Sequence, residues 1–558
     1  MRKLIFLLVS TLLICSCVDG LTKIGLDRLN WTQSLPSGEN ITLDGGFING
    51  MSTDMYISPM TFGTTGDGLT DDAEAIQNAS DAAHALWETD GIMRTICFPP
   101  GIYLINSSQV TSEILLKPRP GVKYRGSGMG QTIIRAPAEW RNASNGVSLF
   151  FNTDEYLNGL EVSGITFDYG TEVFVPGDAF ATRIGANHIQ NAIFDNVEVI
   201  NASGSWCFVL GNGTEDNYSK NVLVSNCRFL NSGDSKSGDA TADFTCIYMS
   251  ASNSTIRNCD FINDNLMRNG TAVEFHNSGI KGTHNIIKNF AYGAHLGAQK
   301  DIPTTSTGQI FSNNVIYAMV GVDYWTTTST DIWQDAVISG NTIYLIHRDP
   351  IDLVVGIGTG VHNGHAYNIS ITDNKILNSN AHGGTYASAG IILHDVNSGI
   401  VANNEIINVT RGIQTQYVEN LTELVITGNT VRGWGYGYIN GIYTPAFQLN
   451  FAREINGGHV VVTENVAVAN GYPEYGMVIW CENLTVLDIR DNVIHGIAVS
   501  DINLVGSYTD EDIYINHASW KGGPGSTYAI DGSTWQNLAI GIDYRHDSTW
   551  KAITYAYS

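Results

Sequence analysis

Five short segments carry, in close succession, side chains able to move protons. They are Ala272-Val273-Glu274-Phe275-His276, Gly293-Ala294-His295-Leu296, Gly321-Val322-Asp323-Tyr324-Trp325, Pro350-Ile351-Asp352-Leu353 and Gly390-Ile391-Ile392-Leu393-His394. Most open on Gly followed by an apolar residue. Strand alternation sends Val273, Ala294, Val322, Ile351 and Ile391 to one face and the next residue to the other. The second face then reads Glu274, His295, Asp323, Asp352, at ~4.8 Å per step if the segments stack as parallel strands. His276, Trp325 and His394 stand two residues further along on that face. Carboxylates set close together push their pKa values apart, and an imidazole titrates near neutrality, so this row is equipment for general acid–base catalysis. Eight of the fourteen histidines fall between His276 and His394. Trp325, with Tyr292, Tyr317 and Trp333 nearby, supplies flat rings suited to stacking on a sugar. The plain alternative is that these are the solvated outer positions of a repeat.

The elements that must position this row come from one phrase: apolar, two small or polar residues, Asn, one polar residue, apolar. It reads Ile338-Ser-Gly-Asn341-Thr-Ile343, and recurs around Asn314, Asn374, Asn404, Asn429, Asn465 and Asn492 at spacings of 25 to 36 residues. Weaker copies place Ile165, Val197, Cys227, Cys259 and Asn285 at the Asn position. Such a period belongs to a solenoid, and each copy holds strand patterns too short for helices. The fold class predicted is all-β, a parallel β-solenoid whose coils stack to bury one core. Asn suits the corner because it tolerates a left-handed backbone, and stacked amides can hydrogen-bond from coil to coil.

Lys plus Arg number 29 against 54 Asp plus Glu, a net charge of −25. That excludes a nucleic-acid partner, which needs a basic footprint. Arg2-Lys3 followed by apolar Leu4 to Ile14 reads as a signal peptide, so a secreted or extracellular location is expected, with no transmembrane helix. Ile14-Cys15-Ser16-Cys17 is similar to a lipoprotein processing box that would leave Cys17 as a lipid-anchored, cell-surface N-terminus; simple cleavage between Ser16 and Gly20 is the other reading. Fourteen Asn-x-Ser/Thr sequons suit an exported glycoprotein. Cys227 and Cys259, and likewise Cys207 and Cys246, fall at equivalent positions of neighbouring coils, as a disulfide or as stacked thiols. The domain reading is 1–20 signal, 21–58 extended lead-in, 59–515 solenoid with its N-terminal cap, and 516–558 a C-terminal capping tail.

One block is more specific. Phe62-Gly63-Thr-Thr-Gly66-Asp67-Gly68-Leu-Thr-Asp71-Asp72 leads into a helical stripe of Ala75, Ile76, Ala79, Ala82, Ala83 and Leu86, which Asp71 or Asp72 can cap. Phe98-Pro-Pro-Gly101-Ile-Tyr103 and Gly126-Ser-Gly128 follow. The block resembles the N-terminal segment of the pectate-lyase-like superfamily of right-handed parallel β-helices, closely over residues 60–135 and through the generic coil over 160–500. The resemblance implies a single right-handed β-helix with a short N-terminal capping helix, and a structural role for Asp67, Asp71 and Asp72. It also implies a polysaccharide partner and an enzyme of the lyase, glycoside hydrolase or epimerase kind. The hydrolases' pattern (Asn-Thr-Asp, Asp-Asp, Gly-His-Gly, Arg-Ile-Lys) does not transfer, since only Asp243 comes near it. The uronan epimerases' Asp-Pro-His-Asp is three-quarters matched by Asp349-Pro350-Ile351-Asp352. A lyase needs a base near C5 of a uronic acid and a cation for its carboxylate; Lys281, Lys300, Arg348 or a calcium ion would serve. The candidates are thus Glu274, His295, Asp323 and Asp352 for catalysis, and Trp325, His276, His394, Arg348 and Lys300 for substrate. The alternative is a non-catalytic envelope or adhesin-like β-helix that binds glycan.

Overall fold

The computed structural model describes residues 32–34, 40–42, 55–106, 114–136, 148–170, 183–202, 206–211, 218–233, 244–264, 266, 270–298, 305–326, 330–347, 353–358, 364–378, 388–416, 418, 420–434, 438–439, 442–443, 445–451, 458–469, 475–482, 486–495, 500–507, 513–515, 518–521, 527–530, 541–546 and 549–553. The signal segment, Cys17, Asp243, Lys300 and residues 348–352, with Arg348 and Asp352, lie outside them. The chain divides into two compact units, residues 1–212 with 216–263 and 268–270, and residues 213–215, 264–267 and 271–558. Both are built from coils of a parallel β-helix, the architecture predicted from the repeat.

In the first unit the strands Arg94–Cys97, Val122–Arg125, Glu161–Ser163, Ile193–Asp195, Leu223–Ser225 and Thr255–Arg257 pair in parallel, each with the next. Buried rings touch in sequence along the coils, Phe194 tilted against Phe208, Phe208 edge-on to Phe229 and Phe229 stacked on Phe261, with centroids 4.8 to 5.1 Å apart. Helix α1 (Ala73–Asp90) packs on the first coils through Ala73, Ile76, Ala79, Ser80 and Ala83. Its buried stripe is narrower than predicted, because Leu86 is exposed. The acidic motif is structural, and of the two expected capping residues it is Asp71, not Asp72, whose side chain meets the start of the helix. Asp72 is buried and accepts the backbone N–H groups of Thr65 at 2.7 Å and Gly66 at 3.1 Å, and it makes no cap bond to the helix. Asp71 accepts from Ala73 and Asn106, and Asp67 accepts from Leu69 and Thr70. Gly66 and Gly68, with φ of 62° and 74°, give the loop the left-handed turns this wrapping needs. Cys207 and Cys246 share a register position, as do Cys227 and Cys259. All four are buried thiols and none is bridged. The stacked-thiol reading is therefore the correct one, and burial together with the neighbouring Cys259 pushes the Cys227 thiol well above its ordinary range.

In the second unit the corner strands run Lys281–Thr283, Ile310–Ser312, Val337–Ser339, Ile369–Thr372, Ser398–Ala402, Glu423–Thr427, His459–Thr463 and Val486–Arg490, again in parallel. After each comes the repeated Asn, buried in every copy. The amide of Asn285 donates to Asn314, and the series continues through Asn341, Asn374, Asn404, Asn429 and Asn465 to Asn492 at 2.9 to 3.0 Å. The ladder is the one predicted, but the left-handed residue is not the ladder Asn. It is the residue before: His284, Asn313, Gly340, Asp373, Asn403, Gly428, Glu464 and Asp491 all have φ between 53° and 65°. That preceding turn lets the Asn side chain point inward while its backbone returns to strand. Past Ile515 antiparallel pairs join the pattern, Ala518–Lys521 with Thr527–Ile530 and Gly541–His546 with Thr549–Ile553, while Ala518–Lys521 and Gly541–His546 still pair in parallel with Val493–His495 and Ser500–Ser507.

Candidate functional site

The row lies wholly in the second unit, on strands β1 (Gly270–Phe275), β2 (Ile286–Ala298), β3 (Val315–Thr326), β4 (Val354–Ile357), β5 (Ser388–His394) and β6 (Arg411–Gln416). Why these strands hold register is visible in their glycines. A Cβ on Gly293 would stand 2.3 Å from the carbonyl of Gly321, one on Gly321 2.5 Å from that of Gly356, one on Gly356 2.5 Å from that of Gly390, and one on Gly390 2.6 Å from that of Gly412. The column is closed to any side chain, so it fixes how the coils stack. Pairing from it places Val273 beside Ala294, Ala294 beside Val322, Val322 beside Ile357 and Ile357 beside Ile391.

Glu274 therefore stands beside His295, and His295 beside Asp323, as predicted. The fourth member is corrected. Gly356-Ile357, not Pro350-Ile351, is the phrase that continues the column, so Gly358 takes the place expected for Asp352, and the row proceeds to Ile392 and Gln414. Asp352, Arg348 and Lys300 fall outside the described residues, and Lys281 is exposed on a different strand column, Lys281–Thr283.

The row is also more enclosed than an outer face of a repeat would be. Glu274 is 2% exposed, Asp323 7% and His394 9%. His295 lies between the two acids, with Nδ1 3.8 Å from Glu274 Oε1 and Nε2 3.7 Å from Asp323 Oδ2. Its Nε2 is buried and makes no hydrogen bond among the described residues. Glu274 is held from its other oxygen by His276 Nε2 at 3.1 Å. The Tyr292 ring lies 4.6 Å from the imidazole, and Trp325, 36% exposed, meets it edge-on at 6.3 Å. Burial, and then the Asp323 charge, raises the Tyr292 hydroxyl above its ordinary range, so it stays protonated at neutral pH as a proton donor. Among the described residues no group of three His, Cys, Asp or Glu is set to hold a metal ion.

Burial acts on His394 as well, in the opposite direction. Burial lowers its pKa, against the opposing pull of its hydrogen bond to Gln416 and of Asp323. With the folded value depressed, the unfolded chain takes up the proton first as pH falls. His394 thus destabilises the fold below its ordinary value of about 6.5. Replacing His394 by Gln is expected to flatten the fall in melting temperature from about pH 7 to 5, read by thermal unfolding at stepped pH; an unchanged slope would put that acid sensitivity elsewhere.

Two bracing residues carry no spacing signal in the sequence. Gln309 is buried and joins several elements through its one amide. It accepts from the Gly297 N–H and the Trp333 indole, and donates to the carbonyls of Asn277 and Gly297 at 2.9 Å. Trp333 is thus a buried anchor, not a sugar platform, and it stacks on Tyr324 at 5.0 Å. The Tyr324 hydroxyl accepts the His394 N–H at 2.6 Å and donates to the carbonyl of Ile392 at 3.2 Å, tying β3 to β5. Tyr317 stacks on Tyr344 at 4.5 Å, on the strands that follow the Asn corner.

Residues 56–317 match the family model for rhamnogalacturonase A/epimerase, pectate lyase-like. Among curated proteins, mannuronan C5-epimerase AlgE6 of Azotobacter vinelandii is 43% identical over 74 residues, which is 13% of this chain and 8% of that protein. Alginate lyase 7 of the same organism is 35% identical over 107 residues, 19% of this chain and 12% of that protein. The chain thus spans about a tenth of the length of these relatives. Among solved structures, the tailspike protein of E. coli bacteriophage HK620 in complex with a pentasaccharide is similar in fold. Its TM-score is 0.60 at 14% identity, over 90% of this chain and 86% of that one. A double mutant of the same tailspike gives 0.62 at 14% identity, over 88% and 84%.

Proposed function

We propose that this chain, which belongs to the pectate-lyase-like superfamily of parallel β-helices, acts on an acidic polysaccharide by moving the proton at C5 of a uronic acid, in β-elimination or epimerisation. The observation that carries the reading is the His295 imidazole set between Glu274 and Asp323, with a protonated phenol, Tyr292, against it. Relatives named as mannuronan epimerases and an alginate lyase support the substrate class. In elimination, a base in the row takes the C5 proton, the electron pair forms the C4–C5 double bond, and the C4–O bond breaks as its oxygen receives a proton. In epimerisation the same carbanion is reprotonated from the opposite face. An imidazole with a carboxylate at either nitrogen passes a proton in either direction, and Tyr292 is placed to return one. Trp325, partly exposed beside the imidazole, is available to the sugar ring.

The test is incubation of the protein with alginate in heavy water, with calcium added or chelated. An unsaturated product absorbing in the ultraviolet identifies elimination, and deuterium at C5 without chain cleavage identifies epimerisation. New reducing ends without either sign would make it a hydrolase and overturn the mechanism. Binding without product would favour the non-catalytic reading.

A further inference from the structure

On three successive coils of the first unit the same position carries an aromatic ring. Leu157 pairs with Ile189 and Asn158 with Gln190, and Gln190 with Lys220, so Tyr156, His188 and Tyr218 stand in one column. Equivalent positions on parallel strands point the same way, at ~4.8 Å per step. The Tyr156 ring lies on the His188 imidazole at 4.6 Å and 22°, and Tyr218 meets it at 4.6 Å and 82°. Tyr156 is nonetheless 53% exposed. A large ring held in place by two others and still open to water is costly to leave unused, since it loses rotamer freedom without gaining burial.

Beside the rings runs a polar row, Asn158, Gln190 and Lys220. Two exposed amides adjoin it, with Asn221 donating to Asn191 and Asn191 to Asn158, each at 2.9 Å. This ladder fixes the amide orientations, and its outer lone pairs and N–H groups face solvent, where hydroxyls can be read. The nearby acids are already committed, Asp154 to Lys117 at 3.4 Å, and Asp81 and Glu155 to Arg119 at 2.7 Å. Lys220 makes no ion pair with a described residue, in a chain whose net charge is −25.

We propose that this three-coil column is a carbohydrate-binding platform for a stretch of acidic polysaccharide. One sugar ring lies on Tyr156, the exposed amides take its hydroxyls, and Lys220 takes a carboxylate. The choice of an acidic chain rests on the function proposed above; the rings and amides alone would suit any pyranose polymer.

The experiment is affinity electrophoresis of the full chain through gels holding alginate or, as an uncharged probe, dextran. The unsubstituted protein is expected to be retarded by alginate. Tyr156→Ala should weaken that retardation roughly tenfold, the scale of one well-placed aromatic contact. Lys220→Gln should weaken it with alginate and leave dextran unaffected, and more so at low salt. Both positions lie at the surface, and equal melting temperatures would show that the fold is intact. Retardation equal to that of the unsubstituted protein in both variants, or no retardation of that protein by alginate, overturns the platform. The two proposals fail separately. Retardation that depends on Tyr156 without any product from alginate removes the chemistry and keeps the platform. Product without that dependence does the reverse.

Discussion

Asp323→Asn is expected to lower turnover on alginate by about a hundredfold or more, with little change in KM. Asn keeps the shape of a buried side chain but removes the charge beside His295 Nε2, 3.7 Å away. A positioned acid–base group contributes typically 10²–10⁴ in rate. Because the loss falls on the transition state, kcat and kcat/KM should fall together. Glu274→Gln replaces the carboxylate whose two oxygens face His276 Nε2 at 3.1 Å and His295 Nδ1 at 3.8 Å by a neutral amide, so it should cost a similar factor. The double variant should be hardly slower than either single one, because the two carboxylates serve one imidazole. Thermal melting of each variant separates lost chemistry from lost fold, a necessary control for residues this deeply buried. Full turnover in Asp323→Asn would remove the row from the mechanism.

How much of this was legible beforehand follows from what each signal measures. The Asn phrase reports a corner that every coil must make, and the corner stands where the phrase puts it. The phrase could not say which residue turns left-handed, because Asn is common at both positions, as Asn313-Asn314 and Asn403-Asn404 show. Glu274, His295 and Asp323 align because their strands share a small residue followed by an inward apolar one. The same rule failed at Asp352, where Pro350-Ile351 imitated the phrase while the glycine column selected Gly356-Ile357 six residues later. Alternation tells which side of a strand faces the coil interior; it is silent on what lies over the other side. For that reason the enclosure of Glu274 and Asp323, and the bracing by Gln309 and Tyr324, came only from the structure.

The largest loss of stability is expected at the middle of the Asn ladder. Asn374 donates its amide to Asn404 Oδ1 at 3.0 Å and to the Ile338 carbonyl at 2.9 Å. Its own Oδ1 accepts the backbone N–H of Asn341 at 3.0 Å and the Asn341 amide at 2.9 Å. Asn374→Leu keeps roughly the volume and deletes all four bonds. The cost lies less in the lost bonds, each worth about 1 kcal/mol net, than in the buried partners left behind, at about 1–3 kcal/mol each. Partial relaxation and water entry would keep the total below the simple sum, so about 3–5 kcal/mol is expected from urea unfolding. The effect should concentrate where coils touch, with hydrogen exchange fastest in strands Thr342–Leu345 and Lys375–Asn378, because each coil of a solenoid is stabilised by its neighbours. Substituting Asn341 by Leu as well removes one of the stranded amides together with its lost partner. The double variant should therefore cost clearly less than the two single ones combined. The first unit shows that such a replacement is tolerated when made together, since Ile165, Val197, Cys227 and Cys259 fill the same corner there without an amide among them. A cost below about 1 kcal/mol for Asn374→Leu alone would mean that the ladder follows from the coil stacking and does not hold it.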